Sequence, residues 1–216
     1  MKPSPATSIQ PKTMSPTRLS FFDIDRLGVA HLDTDEPEDI WAILEERGWE
    51  VLGSGSCAVV AVLPGDPSRV LRISLPQDGW IGHTLAVQGE AHAPRLHALG
   101  WHEGLWFAIS ERLDPVPPEM SIRVITGLIG AVRHAQSPAA ARPDFGALER
   151  RWPGLWAFSQ AHLVHANDLT ADNMMMRGGT LVVNDPRYLM PGEVAEGLAA
   201  EWQVLPEDEA ELLPEW

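Results

Sequence analysis

The stretch NDLTADNMMM, Asn167 to Met176, sets an Asp five residues ahead of an Asn and then turns apolar. A carboxylate such as Asp168 can accept or orient the proton of an attacking hydroxyl. A neutral amide oxygen such as that of Asn173 suits a hard dication such as Mg2+. Alone, the fragment reads equally well as an Asx turn followed by a helix cap. Three further stretches bear on the same chemistry. GSGSCA begins with Gly53, Ser54, Gly55 and Ser56 between two apolar runs. Its backbone can turn tightly and set N–H groups against phosphate oxygens, although most such turns only connect strands. Arg72 lies in the next apolar run, and Glu90 follows eighteen residues later. That pair can be a cation for phosphate charge with an orienting carboxylate, or a plain surface ion pair. Asp185 ends the run VVNDPR, where it is either a metal-holding carboxylate or a turn residue before proline. The order and spacing of all four, more than any one of them, argue for a site that handles phosphate and a divalent ion.

These residues need elements to hold them. A helix is expected from about Thr34 or Asp35, with Pro37 in its first turn, Ile40, Trp41 and Leu44 on one face, and Gly48 as its stop. WEVLGSGSCAVVAVL reads as strand, Gly/Ser turn, strand, and RVLRIS as a further strand after the turn PGDPS. A helix is expected over Thr84 to Leu99, broken or kinked at Pro94, with Gly100 as its end. LWFAISERL reads as a strand. Ile122, Ile125, Ile129 and Val132 fall at helical spacing, and SPAAARP breaks that helix. Leu148, Trp152, Leu155, Trp156, Ser159 and Leu163 mark another helical face, divided at Pro153. NMMMRGGTLVVND reads as strand, Gly-Gly turn, strand. Such a hairpin returns Asp185 to the side of Asn173.

Bulk composition narrows the function classes. A net charge of −14 argues against coating nucleic acid. No apolar run approaches the length that spans a bilayer. The single cysteine, Cys57, excludes an internal disulfide framework. Eight acidic residues and no Lys or Arg lie between Pro191 and Trp216, and DTDEPED adds five more acids. These read as solvated acidic faces or as a docking surface for a basic partner. The first twenty residues are rich in Pro, Ser and Thr and read as a disordered leader; its Ser4, Thr7, Ser8, Thr13, Ser15 and Thr17 are candidate phosphorylation sites. His162 and His165 lack the further pair a zinc site needs.

With these residues in order, the chain resembles the protein-kinase-like superfamily from Leu52 to Asp185. LGSGSCAVV is similar to its glycine-rich loop, with Ala58 in the third glycine's place. Arg72 takes the place of the strand lysine, and Glu90 that of its helix partner. SERL is similar to the hinge, which implies Ser110 as gatekeeper and the Glu111 carbonyl and Leu113 N–H as adenine contacts. NDLTADN is similar to the catalytic loop, implying Asp168 as base and Asn173 as metal ligand. NDPR replaces Asp-Phe-Gly and keeps Asp185 as the second metal ligand. The resemblance implies ATP and Mg2+. It also implies an α+β, bilobal protein-kinase-like fold: a leader (1–20), a β-rich N-lobe (21–113) and a truncated, mainly helical C-lobe (114–216).

The departures shape the expectation. Arg for Lys keeps charge and changes reach. Ala166 stands where the loop histidine is usual, with His165 one place off, and Thr170 stands at a frequent lysine position. Only 31 residues follow Asp185, and no Ala-Pro-Glu appears. That compactness is similar to the kinases of bacteriophages related to T7, which phosphorylate host proteins. It implies a serine/threonine protein kinase in the host cytoplasm, with a bacterial protein as acceptor. Aminoglycoside-type small-molecule kinases share the Asp…Asn…Asp order and give a second acceptor class. A pseudokinase that binds and inhibits a basic partner through its acidic surface is the third reading.

Overall fold

The computed structural model describes residues 15–32, 34–137, 143–187 and 189–204. The leader up to residue 14, with Ser4, Thr7, Ser8 and Thr13, Asp33 of the acidic stretch, most of the SPAAARP break and the acidic tail from 205 with Trp216 lie outside the described residues. The fold is α+β, with a β-rich amino-terminal part and a mainly helical carboxy-terminal part.

In chain order come β1 (Thr17–Arg18), α1 (Phe21–Arg26), α2 (Pro37–Glu46), β2 (Val51–Ser54), β3 (Ala58–Val62) and β4 (Arg69–Ser74). They are followed by α3 (Gly79–Ala86), β5 (Leu96–His102) and β6 (Leu105–Glu111). The strands form one sheet in the order β1-β5-β6-β4-β3-β2. α1, which had no counterpart in the sequence reading, starts with a capping box: Asp23 N–H donates to Ser20 Oγ, and Ser20 N–H donates to Asp23 Oδ2. α2 begins with Pro37, whose missing N–H costs nothing in a first turn, and the chain leaves it through Gly48 at φ 80°.

The helix expected over 84–99 does not form as one element. Asp78 caps α3 earlier, the helix ends at Ala86, and Leu96–His102 is a strand laddered on β6. A short apolar run such as LHALGW fits either state, and the neighbouring strand decides it. Gly100 is held in that strand by packing: a Cβ there would lie 2.9 Å from Val204 Cγ2 and 3.0 Å from Leu19 Cβ.

The second part contains β7 (Asp114–Pro115), α4 (Pro118–Gln136), α5 (Gly146–Arg151), α6 (Leu155–His162), β8 (Met174–Arg177), β9 (Thr180–Val183) and α7 (Gly192–Glu201). β7, β8 and β9 form a small sheet. The expected division at Pro153 falls between α5 and α6, with Gly154 at φ 89°. The buried stripe of α4 is Val124, Leu128, Ala131 and Val132, so Ile122, expected on the core face, is 79% exposed. α4, α5, α6 and the hairpin enclose a core of their own.

After the hairpin the chain returns to the first part. Met190 and Ala195 pack with Trp80, Leu99 and Trp106. Trp101 N–H donates to Trp202 O, and Val204 N–H donates back to Trp101 O, both at 2.8 Å. Residues 189–204 therefore cover the amino-terminal sheet, on the far side of the division placed at residue 114. No helix among the described residues is long and apolar enough to cross a membrane.

Candidate active site

β4 carries Arg72 in the middle of the sheet, in register with Val60 on β3 and Ala108 on β6. Only 9% of this arginine is exposed. A guanidinium in such a place needs compensating charge. It finds Asp78, the N-cap of α3, with Nε to Oδ2 at 2.7 Å and Nη2 to Oδ1 at 2.9 Å. Its Nη2 also meets Asp185 Oδ2 at 3.0 Å, and its carbon lies 5.0 Å from the centre of the Trp80 ring. Burial alone would favour the neutral arginine, but the Asp78 and Asp185 carboxylates outweigh it and hold the group more firmly protonated than usual.

Glu90, expected beside Arg72, is not there. α3 stops four residues before it, and Glu90 reaches the His162 ring at 3.7 Å from a half-exposed position. Asp78 takes the orienting role. The sequence signal for it was the Asp of PQDGW, a residue that begins helices, but the reading started that helix too late.

The catalytic-loop candidates are joined directly. Asn173 Nδ2 donates to both the backbone O and Oδ2 of Asp168, each at 2.9 Å. The N–H groups of Asn167 and Asp168 both donate to Pro186 O, which pins the loop against the segment after Asp185. β8 and β9 pair with Met174 opposite Val183, and Asn184 N–H donates to Asn173 O at 2.8 Å. The Gly-Gly turn thus brings Asn173 and Asp185 together, as the sequence order required. Asn184, which the sequence reading did not single out, accepts from Trp80 Nε1 at 3.3 Å and ties this end of the hairpin to α3.

These side chains share one cleft of about 290 Å³ with the β2–β3 turn from Gly53 to Ser56 as a wall. Gly53 and Gly55 have open space where a Cβ would stand, and Gly55 N–H closes the turn on Ala58 O at 2.8 Å. An adjoining space of about 450 Å³ is lined by Leu52, Val60, Val70, Ser110, Leu113 and Met175. Glu111 and Leu113 lie along it. The Glu111 carboxylate is occupied by Arg177 and by the Arg95 N–H, which fastens this strand end to the hairpin.

The donor set fits a hard divalent cation. Among the described residues no three His, Cys, Asp or Glu side chains converge as a complete protein cage. Mg2+ does not ask for one: it takes one or two side-chain oxygens and completes its shell with phosphate and water. Asn173 and Asp185, which both line the cleft, would supply those two oxygens. Burial pushes Asp185 up to about 6 against the pull of Arg72, with Asp78 and Asp168 adding to the rise. A carboxylate in that condition gains from a nearby cation.

No family model matches the sequence, and no curated protein matches it. Among solved structures, the chain is similar to the crystal structure of the Mycobacterium tuberculosis PknI kinase domain, at 15% identity and a TM-score of 0.33. The match covers 64% of this chain and 59% of that one, and a likeness of this depth assigns no activity.

Proposed function

We propose that this protein is an ATP- and Mg2+-dependent phosphotransferase that phosphorylates Ser or Thr hydroxyls of proteins. The observation that carries the reading is the meeting of Asp168, Asn173, Asp185 and Arg72 in one cleft walled by a glycine turn. That set matches the needs of phosphoryl transfer, which is mostly positioning and charge stabilisation. The apolar slot between Leu52, Val60, Val70 and Met175 suits a purine, and the exposed turn at Gly53–Ser56 suits its phosphates.

Asp168 orients the acceptor hydroxyl and receives its proton as the oxygen bonds to the γ-phosphorus. The bond to the β-phosphate oxygen breaks, and ADP leaves. Asn173 fixes the Asp168 carboxylate through its amide hydrogens. Arg72, locked by Asp78, offers a rigid positive charge to the phosphates. Asn173 and Asp185 would hold Mg2+, which when bound neutralises charge on the β- and γ-phosphates. A protein of a phage-infected bacterium fits the acceptor class, and Arg72 in place of lysine distinguishes the site.

A second reading, a non-catalytic nucleotide-fold protein that binds a basic partner, is favoured by one contact: Asp185 Oδ2 already holds Arg72 at 3.0 Å. An ion pair there competes with a metal for the same oxygen. The test is incubation with γ-labelled ATP and Mg2+, alone and with bacterial lysate. Label on a protein band, absent with Asp185→Ala, supports the protein kinase. Label on a small molecule assigns the acceptor to metabolites or drugs. No label, no nucleotide-dependent thermal shift and a stable basic partner on pull-down assign the non-catalytic reading.

A further inference from the structure

Behind the cleft, α3 and α6 border a separate cavity of about 340 Å³, lined by His83, His162, His165 and Arg187 with Ala86 and Val87. Two of its polar atoms, His83 Nε2 and Arg187 Nε, are buried with no hydrogen-bond partner. His83 is 1% exposed. A buried polar atom left unpaired costs roughly 1–3 kcal/mol, so two among the lining residues call for a partner that satisfies both. Arginine does not ligate metals, and its place in the lining favours an anion. The nearby carboxylate of Glu90 reaches His162 at 3.7 Å. We propose that this cavity is an anion site for a phosphate group, held between His83 and Arg187 with His162 and His165 at its wall.

Burial above all, with Arg187 and His162 adding to it, pushes His83 down to about 4. The site is also placed to act on the cleft. Arg187 lines both cavities. Its backbone carbonyl is packed on α3 so closely that a Cβ on Gly79 would lie 2.5 Å from it. A phosphate bridging His83 and Arg187 joins α3, and with it the Asp78–Arg72 pair, to the segment that carries Asp185.

The test uses the full chain with 15N-labelled histidine and follows ring resonances while inorganic phosphate is added at constant ionic strength without nucleotide. The His83 ring shifts saturably. His162→Gln with His165→Gln weakens binding about tenfold, the scale of one lost charge-assisted hydrogen bond, while the amide spectrum stays folded. A phosphoserine peptide separates the sources: binding tighter than inorganic phosphate assigns a protein-borne phosphate, and equal binding a free one. The proposal is overturned by saturable binding that leaves the His83 ring unmoved, by no binding at roughly tens of millimolar, or by unchanged affinity in the double variant. Since no transfer is measured, an inactive enzyme leaves the outcome readable.

Discussion

Asp78→Asn is the most discriminating single change. Asp78 is 1% exposed and gives both oxygens to Arg72 while capping α3 through the Trp80 N–H at 3.1 Å. Asparagine preserves shape and, through its amide oxygen, the cap; it removes the charge and sets an NH2 in place of the oxygen that accepts from Arg72 Nε. Removing one partner of a buried ion pair costs about 3–5 kcal/mol. Asp185 still faces the guanidinium, and the amide oxygen keeps one acceptor, which reduces the expected loss to about 2–3 kcal/mol. Asp78→Ala should lose about 1 kcal/mol more, the value of an N-cap. The assay is urea unfolding followed by tryptophan fluorescence, for Asp78→Asn, Arg72→Met and the double variant. If the pair stabilises as argued, the double variant costs less than the sum of the singles by about 2 kcal/mol or more. A coupling under about 0.5 kcal/mol would mean that Arg72 is compensated elsewhere, and the account of the buried triad would fail.

Asp168→Ala should abolish transfer from ATP with an unfolding midpoint close to that of the parent, since the lost contacts are those to Asn173; a label assay beside circular dichroism checks both. Gly79→Ala should destabilise by about 1–3 kcal/mol, because its Cβ meets the Arg187 backbone, and Gly82→Ala, which faces only the Met190 sulfur at 3.0 Å, should cost less. Acid behaviour offers two opposed slopes in Mg2+-free buffer. The folded His83 value, about 4, lies below its usual 6.5, so that stability is complete above pH 6.5 and falls by about 3 kcal/mol as pH drops towards 4. The folded Asp185 value, about 6, lies above its usual 3.8, so its contribution is complete below pH 3.8 and is lost, also by about 3 kcal/mol, as pH rises through 6. Urea midpoints from pH 4 to 7 should therefore rise towards acid in His83→Gln and fall towards acid in Asp185→Asn.

Much of the site was legible in the sequence because it is built from local pieces. A hairpin with a Gly-Gly turn of fixed length must bring Asn173 back to Asp185, and the four residues between Asp168 and Asn173 leave room for a loop whose side chains meet. The β2–β3 turn was equally readable, since glycines between two apolar runs leave few alternatives. Glu90 was misplaced because ion-pair partners are chosen by where a helix starts, and the reading began α3 after its cap. Ile122 was misplaced because Ile122, Ile125 and Ile129 satisfy a helical period as well as Val124, Leu128 and Ala131 do. Period alone fixes a stripe, and the surface it packs on selects which stripe.

The linear order of residues thus determined the charge, the glycine turn, the β8–β9 hairpin and the chemistry they suggest, because each depends on neighbours within a few positions. Tertiary structure alone decided that Asp78 neutralises Arg72, that Leu96–His102 is a strand, that residues 189–204 return to the first sheet, and that His83 and Arg187 line one cavity. Those contacts join residues up to about a hundred positions apart. Their energies come from burial and from compensating charge in a shared interior, neither of which is written in any one segment.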